Sequence, residues 1–205
     1  MAEPQFQLYF DVVQTLECLQ VPYVIIGAFA GTVYGVTRVT FDVDIVVDLA
    51  EKHIQALAAS YPPPRFYADP EQMRNSIQFG IMFNIIDTSE ARKVDLIPTT
   101  MKPGYGFALK RRIRREIPVS PESSIAAWFA RPEDVIVGKL MAWQEGGSFK
   151  HETDIRDILV AIMLGDDAEM STMFDYDYID QWAFNLGRDV NQFWMNLKQA
   201  PQEDD

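Results

Sequence analysis

The sequence predicts an α/β chain, a mixed sheet flanked by helices, with a helical C-terminal part. Three observations carry that prediction. The run Tyr23–Asp48, YVIIGAFAGTVYGVTRVTFDVDIVVD, reads as a short strand, a glycine turn, a helix and a second strand. Ser76–Ile86 (SIQFGIMFNII) and Lys93–Pro98 have strand composition and flank the turn formers Asp87-Thr88-Ser89-Glu90, so they form an antiparallel pair that extends the sheet. From Pro121 onward the apolar spacing becomes helical.

Taken in order, Pro4–Gln20 places Phe6, Tyr9, Val13, Leu16 and Leu19 at three- and four-residue steps, the stripe of a helix packed on a sheet. Tyr23–Ile26 is apolar and rich in β-branched residues, and Gly27 ends it. Ala28–Tyr34 is helix-compatible and is closed by Gly35. Phe41–Asp48 returns to strand character. Ala50–Tyr61 suits a helix that Pro62-Pro63-Pro64 stops, with a loop to about Pro70. Arg131-Pro132-Glu133-Asp134 has proline and acids where a helix begins, and that helix runs to Glu145 before Gly146-Gly147. Thr153 is a reasonable N-cap for a helix with Ile155, Ile158, Leu159 and Ile162 inward. Beyond Asp166 a linker leads to helical runs at Tyr178–Leu186 and Val190–Leu197, whose Trp182, Phe193 and Trp194, with Phe174 before them, suit a core or a docking surface. The tail PQEDD is expected to be disordered.

The chemistry centres on the second strand. Side chains alternate across a strand, so Asp42, Asp44 and Asp48 share one face while Val43, Ile45 and Val47 share the other. Carboxylates in so apolar a strand need a compensating cation, and Mg²⁺ binds through one or two carboxylates plus substrate phosphates. An edge strand with one solvated face would also show Asp-x-Asp. The Gly27 turn ahead of it supplies backbone N–H groups at a helix start, which suits phosphate. Asp95 lies between Val94 and Leu96, as a strand-edge aspartate facing water or as part of a site. Lys139 falls mid-stripe among Val135, Ile136, Ala142 and Trp143, so it either snorkels to the surface or meets an anion. Asp154 and Asp157, three apart, are neighbours on one helix face and complement a helix N-terminus there. Lys110-Arg111-Arg112-Ile113-Arg114-Arg115 is the one dense basic run, either a solvated face or a phosphate-contacting edge for RNA.

The order Gly-Ala, helix, Tyr-Gly, then Arg38-x-Thr40-x-Asp42-x-Asp44 resembles the nucleotidyltransferase superfamily to which DNA polymerase beta belongs. Within it the resemblance is to the abortive-infection, AbiEii/AbiGii-type proteins, many of them toxins of toxin–antitoxin pairs. EDVIVGKLMAW, around Lys139, is similar to a segment of those proteins whose lysine contacts nucleotide phosphates. The resemblance implies a nucleotidyltransferase core over residues 1–120 and a helical region over 121–205 closing one side of a cleft. It implies that Asp42 and Asp44 hold one or two Mg²⁺ ions and that Asp95 is the third carboxylate, metal ligand or base. Gly27 and Ala28 would cradle the NTP phosphates, with Arg38 and Lys139 as cations. Asp154 or Asp157 would serve as a supporting anchor or as a base for the acceptor hydroxyl. Ala28 departs from the Ser or Gly of the family pattern, keeping the N–H but offering no hydroxyl. The contrasting expectation is a nucleotidyltransferase fold without catalysis, binding nucleotide or a protein partner.

Composition narrows the classes further. A chain of 205 residues holds one sizeable domain, or a core with a small appended one. A net charge of −12 argues against a generic nucleic-acid binder, while leaving room for a local basic patch. One cysteine, Cys18, excludes a disulfide framework and suggests a reducing compartment. Two histidines, His53 and His151, are too few and too far apart for a histidine-based zinc site. No apolar run approaches the roughly 18–20 residues of a membrane span, and MAEPQFQ has no signal-peptide character, so a cytoplasmic protein is expected.

Overall fold

The computed structural model describes residues 7–38, 40, 42–120, 123–165 and 167–199. The expected helix start at Pro4, strand start at Phe41, helical onset at Pro121, linker start at Asp166 and PQEDD tail lie outside these residues. The first half contains α1 (Gln7–Cys18), β1 (Tyr23–Ile26), α2 (Gly27–Thr32), β2 (Asp44–Val47), α3 (Glu51–Ser60), β3 (Phe66–Tyr67) and α4 (Pro70–Phe79). Then follow β4 (Phe83–Asp87), β5 (Arg92–Pro98), α5 (Gly106–Arg111), β6 (Ile113–Ser120) and β7 (Ser123–Phe129). The remainder is helical: α6 (Pro132–Gly146), α7 (Phe149–Leu164), α8 (Ala168–Met173), α9 (Tyr176–Leu186) and α10 (Arg188–Gln199). No helix among the described residues is long and apolar enough to cross a membrane.

The chain divides into two compact units, Met1–Ile26 with Thr40–Phe129, and Gly27–Val39 with Ala130–Asp205. The first unit contains a seven-stranded mixed sheet in the order β3-β4-β5-β2-β1-β7-β6. β2 lies inside the sheet, antiparallel to β1 and parallel to β5, so the solvated-edge alternative for Asp44 does not apply. Ile45, Val46 and Val47 are all fully buried, as expected of a strand covered on both faces, and polarity is confined to its Asp44 end. β4 and β5 form the expected antiparallel pair, and α1 packs against β5.

Two local readings are corrected in this unit. Ser76–Phe79 belongs to the end of α4, not to a strand. Asp69 caps that helix by accepting the Glu71 N–H at 2.8 Å, Pro70 sits in its first turn, and Gly80 stops it in a left-handed conformation (φ 65°). These end signals outweigh the strand-like composition of the segment. A strand, β7, also stands where helical structure was expected after Pro121, because pairing with β6 and β1 places it inside the sheet.

The second unit is built on α6, which contacts α7, α9, α10 and α2. α6 begins and ends where its proline, acids and glycines predict, with Gly147 in the left-handed conformation. α7 starts four residues before Thr153, with Ser148 at the N-cap position, and the Thr153 hydroxyl donates back to the Phe149 carbonyl. Asp154 and Asp157 therefore lie inside the helix rather than in its first turn. The segment expected as a linker after Asp166 contains α8, capped by Asp167, which accepts the Met170 N–H at 3.0 Å. Gly35 (φ 95°) allows the chain leaving α2 to pass close to α7, where an added Cβ would meet the Ala161 Cβ at 2.6 Å.

Candidate functional site

In the sheet unit, Asp44 of β2 and Asp95 of β5 are register partners on adjacent parallel strands. Partners in this register point to the same face, so two carboxylates meet side by side. Asn84 of β4 is in turn opposite Asp95, and Ile26 of β1 is opposite Asp44, so one row across four strands reads Asn84, Asp95, Asp44, Ile26. Asp42 is exposed, two residues ahead of Asp44, and its N–H donates to the Thr40 hydroxyl at 3.3 Å. Asp95 is only 7% exposed.

Two neighbours that sequence reasoning passed over complete this group. The Lys93 ammonium donates to both Asp95 carboxylate oxygens, at 3.1 and 2.9 Å. The Asn84 side-chain amide donates to the Asp95 Oδ1 as well. The hydrogen bond to Asp95 raises the Lys93 pKa against the opposing effect of burial, and the charges of Asp95, Asp42 and Asp44 raise it further. Tyr9 of α1 lies in the same field: burial raises its hydroxyl pKa, Arg92 lowers it, and Asp42 and Asp95 raise it. The signals were a lysine two residues before Asp95 and a polar residue inside the apolar FNIID strand.

Among the described residues no three carboxylates, histidines or cysteines gather into a preformed metal cluster. The donor chemistry nevertheless fits a hard dication. The ligands at hand are carboxylate oxygens, and a cation, the Lys93 ammonium, already sits against them.

The helical unit gathers a different set. Asp154 is fully buried and accepts Arg38 Nε at 2.7 Å and Arg38 Nη2 at 3.0 Å, and it also pairs with the Lys139 ammonium. Lys139 is itself 5% exposed, so the buried lysine does meet an anion, supplied by the protein. Burial alone would raise the Asp154 carboxyl pKa; the hydrogen bonds from Arg38 and Lys139 more than offset it and hold it below the ordinary value. Nearby His151 is pushed down by burial and by the charges of Lys139 and Lys150. Asp157, one turn further on, accepts the Thr37 N–H and hydroxyl at 3.1 and 3.2 Å, tying the segment after α2 to α7. Gly27 has φ 71°, a conformation that favours glycine, at the first position of a helix only six residues long. Ala28 is its second residue.

The basic run straddles the end of α5 and the start of β6. Arg112 and Arg114 lie over the Trp128 ring at 4.9 and 5.1 Å, and Arg114 also pairs with Glu17. Part of its charge is therefore engaged within the sheet unit.

The molecule superposes on the crystal structure of an antigenic nucleotidyltransferase-like protein from Paracoccidioides brasiliensis with a TM-score of 0.53 at 18% identity, covering 98% of this chain and 90% of that one. The fold is nucleotidyltransferase-like. Looser similarity, carrying no further weight, extends to ANT(2'')-Ia in its complex with adenylyl-2''-tobramycin (TM-score 0.45, 13% identity, 84% of this chain and 100% of that one). It extends also to JHP933 from Helicobacter pylori (TM-score 0.42, 15% identity, 98% and 97% of the two chains). No protein-family model and no curated protein matches the sequence. Within this nucleotidyltransferase-like fold the paired carboxylates belong to central strands of the sheet.

Proposed function

We propose that the protein is a Mg²⁺-dependent nucleotidyltransferase that moves a nucleoside monophosphate from an NTP to a hydroxyl acceptor. The observation that carries this reading is the in-register pair Asp44 and Asp95, with Asp42 two residues ahead, on central strands of a nucleotidyltransferase-like sheet. Asp42, Asp44 and Asp95 would hold one or two Mg²⁺ ions. When bound, the metal would supply Lewis-acid polarisation of the α-phosphate and neutralise the charge developing on the leaving pyrophosphate.

The acceptor hydroxyl oxygen forms the new bond to the α-phosphorus, the bond to the pyrophosphate oxygen breaks, and the hydroxyl proton passes to a carboxylate, for which Asp95 is the candidate. Gly27 and the N–H of Ala28 are proposed to bind phosphate oxygens, with Arg38 and Lys139 as nucleotide-binding cations. Asp154 then acts as a positioning residue, holding both cations at once, and Asp157 fixes the segment that carries Arg38. The resemblance around Arg38–Asp44 supports an AbiEii/AbiGii-type toxin paired with a protein antitoxin. Its acceptor would be an RNA end reached through Lys110–Arg115, a protein or a small molecule.

A second reading, a nucleotide- or partner-binding module without catalysis, is favoured by one observation: Lys93 already neutralises Asp95. Thermal unfolding in each of the four NTPs, with and without Mg²⁺, tests for the metal–nucleotide site, and pyrophosphate release from the stabilising NTP separates the two. The transferase reading expects a metal-dependent rise in Tm with at least one NTP that is lost in Asp42→Asn/Asp44→Asn. No rise with any NTP in the presence of Mg²⁺ would contradict it.

A further inference from the structure

We propose that Lys93 is a built-in counter-cation of the carboxylate site, one that disfavours a divalent ion while it stays in place and so sets the metal affinity. The inference rests on the reading of Asp42, Asp44 and Asp95 as metal ligands. Lys93 and Asp95 are two residues apart on β5 and so share a face of the sheet. Asp44 is the register partner of Asp95, and Asp42 precedes Asp44 by the same two residues, so the ammonium lies on the face that carries the acids rather than in a remote ion pair. It bonds both Asp95 oxygens, and with the Asn84 amide on Oδ1 it takes up most of the carboxylate's roughly four lone-pair sites, which a metal would need.

An ammonium and a dication on the same carboxylate repel at a few ångströms, so the metal is disfavoured while Lys93 stays in place. The Lys93 side chain is 49% exposed, while that of Asp95 is 9% exposed. The lysine therefore has open solvent into which its flexible stem can swing, whereas the aspartate stays in place. Nucleotide phosphates arriving with the metal would offer the displaced ammonium a new partner. Metal binding would thereby become dependent on nucleotide, and the acids would be kept from binding free metal.

The test is a Mn²⁺ titration of the full-length chain without nucleotide, with free Mn²⁺ followed by electron paramagnetic resonance. The variants are Lys93→Met, Lys93→Arg, Asp44→Asn and Lys93→Met/Asp44→Asn. The expected result is binding about tenfold tighter in Lys93→Met, a gain of about 1.4 kcal/mol. Lys93→Arg, which keeps the charge, should bind like the wild type, and the gain should vanish in the double variant. Unchanged or weaker binding in Lys93→Met, with Asp44→Asn still impairing it, would overturn the role of Lys93 and leave the metal reading standing. A gain that persists in the double variant, or no Mn²⁺ binding by any variant with or without NTP, would overturn the carboxylate metal site itself and this inference with it.

Discussion

Asp154 shows what one buried side chain can decide. Its carboxylate, with no exposed surface, is shared by Lys139 and Arg38, so its removal strands a lysine that is itself buried. Leaving a buried charge without its partner destabilises a protein by about 3–5 kcal/mol, and Asp154→Ala is expected to lose that much in urea unfolding. Lys139→Met/Asp154→Leu, which removes both buried charges and leaves only the part-exposed Arg38 without its partner, should recover most of it. In the sheet unit, Asp44→Asn should unfold near wild type, because Asp44 is only partly buried, and under the proposed function should lose a factor of about 10²–10³ or more in nucleotidyl transfer. Lys139 was legible in the sequence as a lysine needing an anion, because it interrupts an apolar stripe. Its partner was not, because helix periodicity describes one element and says nothing about which neighbouring helix faces it. Asn84 was missed for the same reason, since its significance arises from the pairing of β4 with β5. Lys93, two residues before Asp95 on one strand, was legible as a same-face neighbour and was passed over.

At the scale of elements, α4 and the turn after it give two measurable consequences. Gly80 has φ 65°, and an added Cβ would lie 2.8 Å from the Thr100 carbonyl oxygen, so Gly80→Ala is expected to cost about 1–3 kcal/mol in chemical denaturation. At the end of β4, Asp87 accepts two hydrogen bonds from Arg65 and two from Ser89. Burial would raise its pKa, but these bonds outweigh it and lower the carboxyl from 3.8 to about 2. A carboxyl whose folded pKa is depressed stabilises the fold fully above its ordinary value. That contribution fades as pH falls from about 4 through about 2. Asp87→Asn should flatten stability over that acid range, as read from the midpoint of urea unfolding against pH. The elements themselves were legible wherever periodicity and end signals agreed, as in α1, β1, α6 and the β4–β5 pair. They were misread where the two conflicted. Ser76–Phe79 is apolar enough for a strand, yet the Asp69-Pro70 start and the Gly80 stop make it the end of a helix. Thr153 is a good capping residue that sits inside α7, because helix growth from Ser148 overrides its local preference.

For the whole molecule, the outcome follows from a sheet whose central strands carry acids at one point of an otherwise apolar interior. The mixed sheet and helical C-terminal part were legible in the sequence, as was the strand that opens at Asp44, although Asp42, expected within that strand, precedes it. The strand order was not, since β2 pairs with β5 across two intervening strands, β3 and β4, and two helices, and no local pattern encodes that crossover. The net charge of −12 disfavours drawing a polyanionic acceptor through the general field of the protein, so under the proposed function an RNA acceptor would rely on the Lys110–Arg115 run. The most direct test of nucleotidyl transfer is to incubate wild type and Asp44→Asn with each NTP labelled at the α-phosphate, Mg²⁺, and separated RNA, protein and small-molecule fractions of a cell extract. Transfer predicts label in one fraction from one preferred NTP, with matching pyrophosphate release, and none from Asp44→Asn. Label in no fraction from any NTP, with a folded and Mg²⁺-supplied wild type, would contradict it.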